Sequence, residues 1–152
     1  MVKGIPLVWL AASACTGCSV SLLNLANPSI KNILIDQVVP GVHINLGFHP
    51  TIMAGTEEQV IEALENTATE KKENYILVDG SIQMSDDGRY CVIEKWGSQP
   101  VTIGTRLEEL SRDAVIILAM GNCAAFDGIP AATPNPTDCK SVQQVLKAKE
   151  RG

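Results

Sequence analysis

Apolar positions along the chain fall into strand-length runs, with stretches of helical spacing between them. Ile5–Leu10 reads as a buried first strand. From Cys18 to Ala26 the spacing predicts a short helix, with Leu22, Leu23 and Ala26 on one face and Asn27-Pro28 ending it. Ile33–Val39 reads as a second strand, stopped by Pro40-Gly41, and an irregular stretch follows through His43 and His49-Pro50. Tyr75–Val78 and Ala114–Met120 are continuous apolar runs of strand length. Capping-box residues stand at Thr56-Glu57-Glu58-Gln59, Thr105-Arg106-Leu107-Glu108 and Ser141-Val142-Gln143-Gln144. They predict helices from Thr56 to about Lys72, from Thr105 to about Arg112, and near the carboxyl end; Val60, Ala63, Leu64 and Ala68 hold core spacing in the first of these. Tyr90–Glu94 and Pro100–Ile103, around Trp96-Gly97, predict a small hairpin excursion entered through the turn Asp86-Asp87-Gly88.

Strands alternating with helices indicate an α/β fold. The expectation is a flavodoxin-like three-layer sandwich with a mostly parallel four-stranded sheet, ordered 2-1-3-4, plus the hairpin excursion. With 152 residues the chain fits a single domain, residues 1–152, and 45% hydrophobic residues suffice for a core. Aromatics are only 4%, so aliphatic side chains fill that core. Lys plus Arg number 12 against 17 Asp plus Glu, a net charge of −5, which argues against a nucleic-acid partner. No apolar run is long enough to span a membrane, and no signal-peptide or twin-Arg pattern stands near Met1. The chain is therefore expected in the cytoplasm, or in the periplasm or at a membrane if a leader or partner directs its export.

In parallel sheets ligands sit beyond the carboxyl ends of the strands. Cys15-Thr16-Gly17-Cys18 follows the first strand, Asp79-Gly80-Ser81 the third, and Gly121-Asn122-Cys123-Ala124 the fourth. Three of the five cysteines thus land on one edge of the sheet although 105 positions separate Cys18 from Cys123. Thiolates suit iron–sulfur clusters and zinc. Gly17 lets the backbone turn closely around a bulky ion or cluster, and a helix starting near Cys18 aims free amides at the site. An iron–sulfur cluster, a zinc site, a dithiol redox pair and structural thiols all remain open from this pattern. Cys91 lies in an apolar strand pattern and reads as a core thiol; Cys139 lies in a polar loop and joins the site only if that loop folds back. His43 reads as a hydrogen-bonded loop histidine and His49 as a candidate polar contact, while Asp86, Asp87 and Glu94 read as a solvated turn and strand face. No P-loop, Gly-x-Gly-x-x-Gly, Gly-x-Ser-x-Gly or His-Glu-x-x-His motif is present.

Cys15-Thr16-Gly17-Cys18-Ser19, after a strand containing Trp9, resembles the amino end of the small subunit of nickel–iron hydrogenases. Phe48–Ala54, Leu77–Ile82, Asp87–Cys91 and, most specifically, Gly121–Ala132 with Pro134–Thr137 resemble further blocks of that family in order. The run from Cys18 to Asn24 looks like the nickel–iron–selenium branch. The resemblance implies a flavodoxin-like domain and an electron-transfer subunit of an oxidoreductase acting on dihydrogen, not active alone. Its partner is a large subunit holding the nickel–iron centre, and a further electron-transfer subunit or carrier follows. It implies that Cys15, Cys18 and Cys123 ligate a proximal 4Fe–4S cluster. The fourth ligand, in a Gly-Cys-Pro-Pro motif, and the family's carboxyl-terminal cluster region are missing from this chain, which ends at Gly152. That implies a fragment, a split gene product or a shortened member supplied from elsewhere. Many members carry Glu where Ala14 and Val20 stand here, and oxygen-tolerant members add cysteines at the positions of Gly17 and Gly128, so no tolerance device is expected. A cluster joining the three cysteines has to sit over the end of the third strand, with strands one and four about 10 Å apart, and Gly80 is expected to leave room for it. The loops Cys15–Ser19, Phe48–Met53 and Ala124–Ala132 are expected to form the partner interface through Phe48, Ile52, Met53, Phe126, Ile129 and Pro130. The competing reading is a flavodoxin-like module binding zinc or flavin.

Overall fold

The structure, a computed structural model, describes residues 3–36, 40–69, 74–96 and 99–149. In chain order the elements are β1 (Lys3–Ala11), α1 (Gly17–Leu23), α2 (Ile30–Leu34), β2 (Val42–Phe48), α3 (Glu57–Thr69), β3 (Asn74–Asp79) and β4 (Ile82–Gln83). A 3-10 turn over Ser85–Cys91 leads to β5 (Val92–Trp96), β6 (Gln99–Thr102), α4 (Ile103–Ser111), β7 (Ala114–Met120) and α5 (Gly121–Phe126). A second 3-10 turn over Ile129–Ala131, β8 (Cys139–Lys140) and α6 (Val142–Lys149) complete it. Strands β2, β1, β3 and β7 lie side by side in that order, all parallel, as the alternation of apolar runs predicts. The antiparallel pair β5–β6 is the expected hairpin excursion, and β4–β8 forms a second small ribbon.

One face of the sheet carries the core. Val8 and Leu10 of β1 and Ile76 and Val78 of β3 meet Leu64 of α3, Ile103 and Leu107 of α4, and Val142 and Val145 of α6. Burying a Leu or Ile contributes about 1.5–3 kcal/mol, whereas a helix cap contributes about 1 kcal/mol. Packing therefore decides where these helices lie, and caps only where they begin. The opposite face is clothed unevenly. Leu7 and Trp9 are buried there. Tyr75 and Leu77 share that face in register with Ile116 and Leu118, which remain 40% and 48% exposed. Among the described residues the third layer thus covers β1 and β2, leaves Tyr75 and Leu77 of β3 half-buried, and leaves β7 open.

Two boundaries differ from the sequence reading. The strand expected over Ile33–Val39 is instead helix α2, with residues 37–39 outside the described set, and the second strand is Val42–Phe48. A full capping box forms at Ser29: its Oγ accepts from the Asn32 N–H at 3.3 Å, and the Asn32 Oδ1 accepts from the Ser29 N–H at 2.9 Å. That local closure outweighs the strand preference of Ile33 and Ile35. Val42, Ile44, Leu46 and Phe48 alternate with His43, Asn45 and Gly47, so the stretch read as irregular already had strand period. Helix α4 begins earlier than expected because Thr102, not Thr105, is its cap; the Thr102 Oγ1 accepts from the Thr105 N–H at 3.3 Å. The Thr56–Gln59 box forms as read.

Candidate metal centre

The end of β1 is fixed against the end of β3. The Ala12 N–H donates to the Asp79 carbonyl at 2.8 Å and the Ser13 N–H to the Ser81 carbonyl at 3.0 Å. Gly80, at φ +90°, lies so close that a Cβ there would stand 2.6 Å from the Ser13 carbonyl carbon and 2.7 Å from the Ala14 nitrogen. Its missing side chain makes room for this backbone, not for a cluster, which corrects the expectation. Thr16 then turns the chain with φ 64° and starts α1. Cys15 is left exposed before the helix and Cys18 half-buried in its first turn. Cys123, also half-buried, comes from α5 just beyond β7.

A glycine lies beside each of these thiols. A Cβ on Gly17 would stand 3.1 Å from the Cys15 Sγ, one on Gly121 would overlap the Cys18 Sγ, and one on Gly128 would stand 2.7 Å from the Cys123 Sγ. The Gly17 N–H donates to the Cys15 Sγ at 3.4 Å. Burial pushes the Cys18 thiol up; the Asp79 carboxylate adds to it, and Cys15 and Cys123 add smaller amounts. The three thiols and one carboxylate therefore share a neighbourhood. Asp79 is buried and accepts from the Ser19 hydroxyl at 3.1 Å. No group of three or more His, Cys, Asp or Glu side chains among the described residues is arranged tightly enough to hold one metal ion. Three thiols from two separate segments are a soft donor set of the kind an iron–sulfur cluster takes.

Other candidates lie elsewhere. Cys91 packs on the core as read, its thiol pushed up by burial and then by Cys139. Cys139 is buried in β8 with its Sγ 3.2 Å from the Thr137 hydroxyl. His43 is on β2 rather than in a loop, and its buried Nδ1 has no hydrogen-bond partner among the described residues. His49 is buried, stacks on Trp9 at 4.4 Å, and accepts at Nδ1 from the Thr51 N–H at 3.2 Å; burial holds its pKa down. Asp86 and Asp87 are exposed as read, but Glu94 is buried against the Arg106 guanidinium, which replaces water around its carboxylate. Asp79, Ser19 and Gly121 lie in the segments the sequence reading placed at the sheet edge, but that reading gave them no role of their own.

The rim of the site is apolar and open at Phe126, Ile129 and Ile52, which are 78%, 86% and 64% exposed. Phe48 and Met53, expected on this surface, belong to the core. No helix of the described residues is long and apolar enough to cross a membrane.

The model of the family described as NADH ubiquinone oxidoreductase, 20 Kd subunit, matches residues 15–151. The periplasmic [NiFeSe] hydrogenase small subunit of Desulfomicrobium baculatum is 38% identical over 147 residues, covering 93% of this chain and 45% of its own length. The hydrogenase-2 small chain of Escherichia coli K12 is 34% identical over 145 residues, covering 95% of this chain and 36% of its own. In solved structures, the recombinant [NiFeSe] hydrogenase of Desulfovibrio vulgaris Hildenborough superposes with a TM-score of 0.87 at 36% identity, over 97% of this chain and 50% of that one. The reduced, active enzyme of Desulfomicrobium baculatum also gives 0.87, at 35% identity, over 99% of this chain and 54% of that one. The chain therefore spans half or less of the curated relatives' length.

Proposed function

Because this chain belongs to the NADH ubiquinone oxidoreductase 20 Kd subunit family, as a nickel–iron hydrogenase small subunit, we propose that it carries electrons for such an enzyme. The carrying observation is the meeting of Cys15, Cys18 and Cys123 at one end of a parallel sheet, each against a glycine. We assign these thiolates as ligands of a proximal 4Fe–4S cluster, with the fourth ligand supplied from outside the trio. Such a cluster supplies one-electron chemistry and links the partner's nickel–iron centre to an acceptor. The chain's own residues provide the rest. Three thiolates hold the group. The Ser19 hydroxyl orients the Asp79 carboxyl group beside Cys18, where it would help tune a bound cluster. Phe126, Ile129 and Ile52 form the surface against which the large subunit excludes water. A further carrier or subunit receives the electrons.

With glycine at 17 and 128, the site has none of the extra thiols of oxygen-tolerant members, and we assign it oxygen-sensitive chemistry. The periplasmic name of the Desulfomicrobium relative supports an exported assembly, carried by a leader or partner, over the cytoplasmic placement read from the amino end.

Anaerobic isolation tests the reading. A brown protein with iron and acid-labile sulfide in equal amounts is expected. A yellow protein would indicate flavin and a colourless one zinc, and either would overturn it. The relatives do not favour that alternative.

A further inference from the structure

We infer that Gly121 is a positioning residue for Cys18, and that the absence of a side chain there allows the site to take up a cluster. The inference rests on the thiol-ligand reading above and deepens it.

Gly121 joins β7 to α5, the turn that also delivers Cys123, two residues on. Its backbone stands at φ +80° and points the place of a Cβ at α1. Among the described residues, the glycine's chain neighbours and its own helix backbone aside, what lies within 4 Å of that place is Cys18: its Sγ, which a Cβ would overlap, and its Cβ at 3.7 Å. The contact thus joins the two segments that carry ligands and sets the direction of one sulfur. Met120 and Gly121 on one side and Ser21, Leu22 and Leu25 on the other line the groove between these segments.

The atom a side chain would strike decides the consequence. At Gly80 it is the Ser13 and Ala14 backbone, and at Gly128 it is the Cys123 Cα at 2.7 Å as well as the Sγ. Neither backbone can step aside without moving the chain. At Gly121 it is the end of a side chain with one rotatable bond. An added methyl turns the Cys18 thiol to another rotamer while the backbone stays in place. The fold survives, and the sulfur no longer faces Cys15 and Cys123.

The test uses the full chain, reconstituted anaerobically with ferrous iron and sulfide. Gly121→Ala and Gly121→Asn are compared with wild type by retained iron and sulfide per chain and by the electron paramagnetic resonance spectrum after reduction. Far-ultraviolet circular dichroism of the apo-proteins reads the fold. Asn accepts positive φ far better than Ala yet carries the same Cβ, so it separates backbone strain from the clash. Both variants are expected to keep the fold and to retain about tenfold less iron than wild type, with the residual signal altered in shape. Wild-type loading in Gly121→Asn would overturn the inference, since strain alone would then explain the alanine result. Loss of fold in both variants would also overturn it, because the role would be structural. A wild-type chain that takes up no iron and sulfide would overturn the ligand reading itself.

Discussion

Cys15, Cys18 and Cys123 stand beyond the carboxyl ends of parallel strands, each against a glycine and none fully buried. Cys91 ends the 3-10 turn before the hairpin and packs on the core, and Cys139, in β8 beside β4, is 3% exposed. The thiols are chemically alike in the sequence, and their surroundings divide them. The first set has glycines against its sulfurs and, at Cys18, the Asp79 carboxylate nearby. The second has aliphatic neighbours and a threonine hydroxyl, as a packed small hydrophobe requires.

Serine substitution breaks this comparison most directly. Cys15→Ser, Cys18→Ser and Cys123→Ser are each expected to retain about tenfold less iron or worse with the apo-fold intact. Cys139→Ser is expected to keep its iron and to lose about 1–2 kcal/mol of stability in denaturant titration, as a hydroxyl replaces a buried thiol. Equal iron loss in both sets would erase the division.

The glycines sharpen it next. Gly80→Ala forces a side chain onto backbone at φ +90°, and a loss of about 3 kcal/mol is expected by thermal unfolding. Gly121→Ala meets only a thiol and is expected to lose about 1 kcal/mol, the cost of left-handed alanine. At the rim, Phe126→Asp is expected to weaken association with the large subunit by about 2 kcal/mol, read by calorimetry. The side chain is 78% exposed, so unfolding of the isolated chain should not change.

The smallest effect is a pH dependence near the site. Burial holds His49 below its ordinary value near 6.5, against an opposing pull from Asp79. The unfolded chain therefore binds the proton first as pH falls. The contribution of this group to stability is full above about pH 6.5 and declines as pH drops below it. His49→Phe should flatten the stability profile on the acid side, and an unchanged slope would remove His49 from that account.

Much of this arrangement was legible before any coordinates. The sheet order follows from apolar runs alternating with helical spacing, and the meeting of three cysteines follows from their places after strands one and four. Other features were not legible, for physical reasons. Ile33–Val39 reads as a strand because β-branched residues suit one, yet a Ser29–Asn32 box closes a helix over Ile30–Leu34. Asp79 reads as a residue of the sheet edge with no named partner, since its contacts with Ser19 and Cys18 cross 60 or so positions of sequence. Gly80 and Gly121 look alike, each one residue past a strand, and only the atom facing them tells backbone accommodation from sulfur accommodation. The run Ala114–Met120 reads as a continuous apolar strand, and its pattern does not tell that Ile116 and Leu118 are exposed.

That last strand has a practical consequence. Among the described residues β7 is an outer strand whose Ala114–Met120 run carries no charge or proline to discourage a neighbour, and past a register shift at Val115, near its start, it pairs regularly with β3. Molecules of the isolated chain will find one another through this flank as they become crowded.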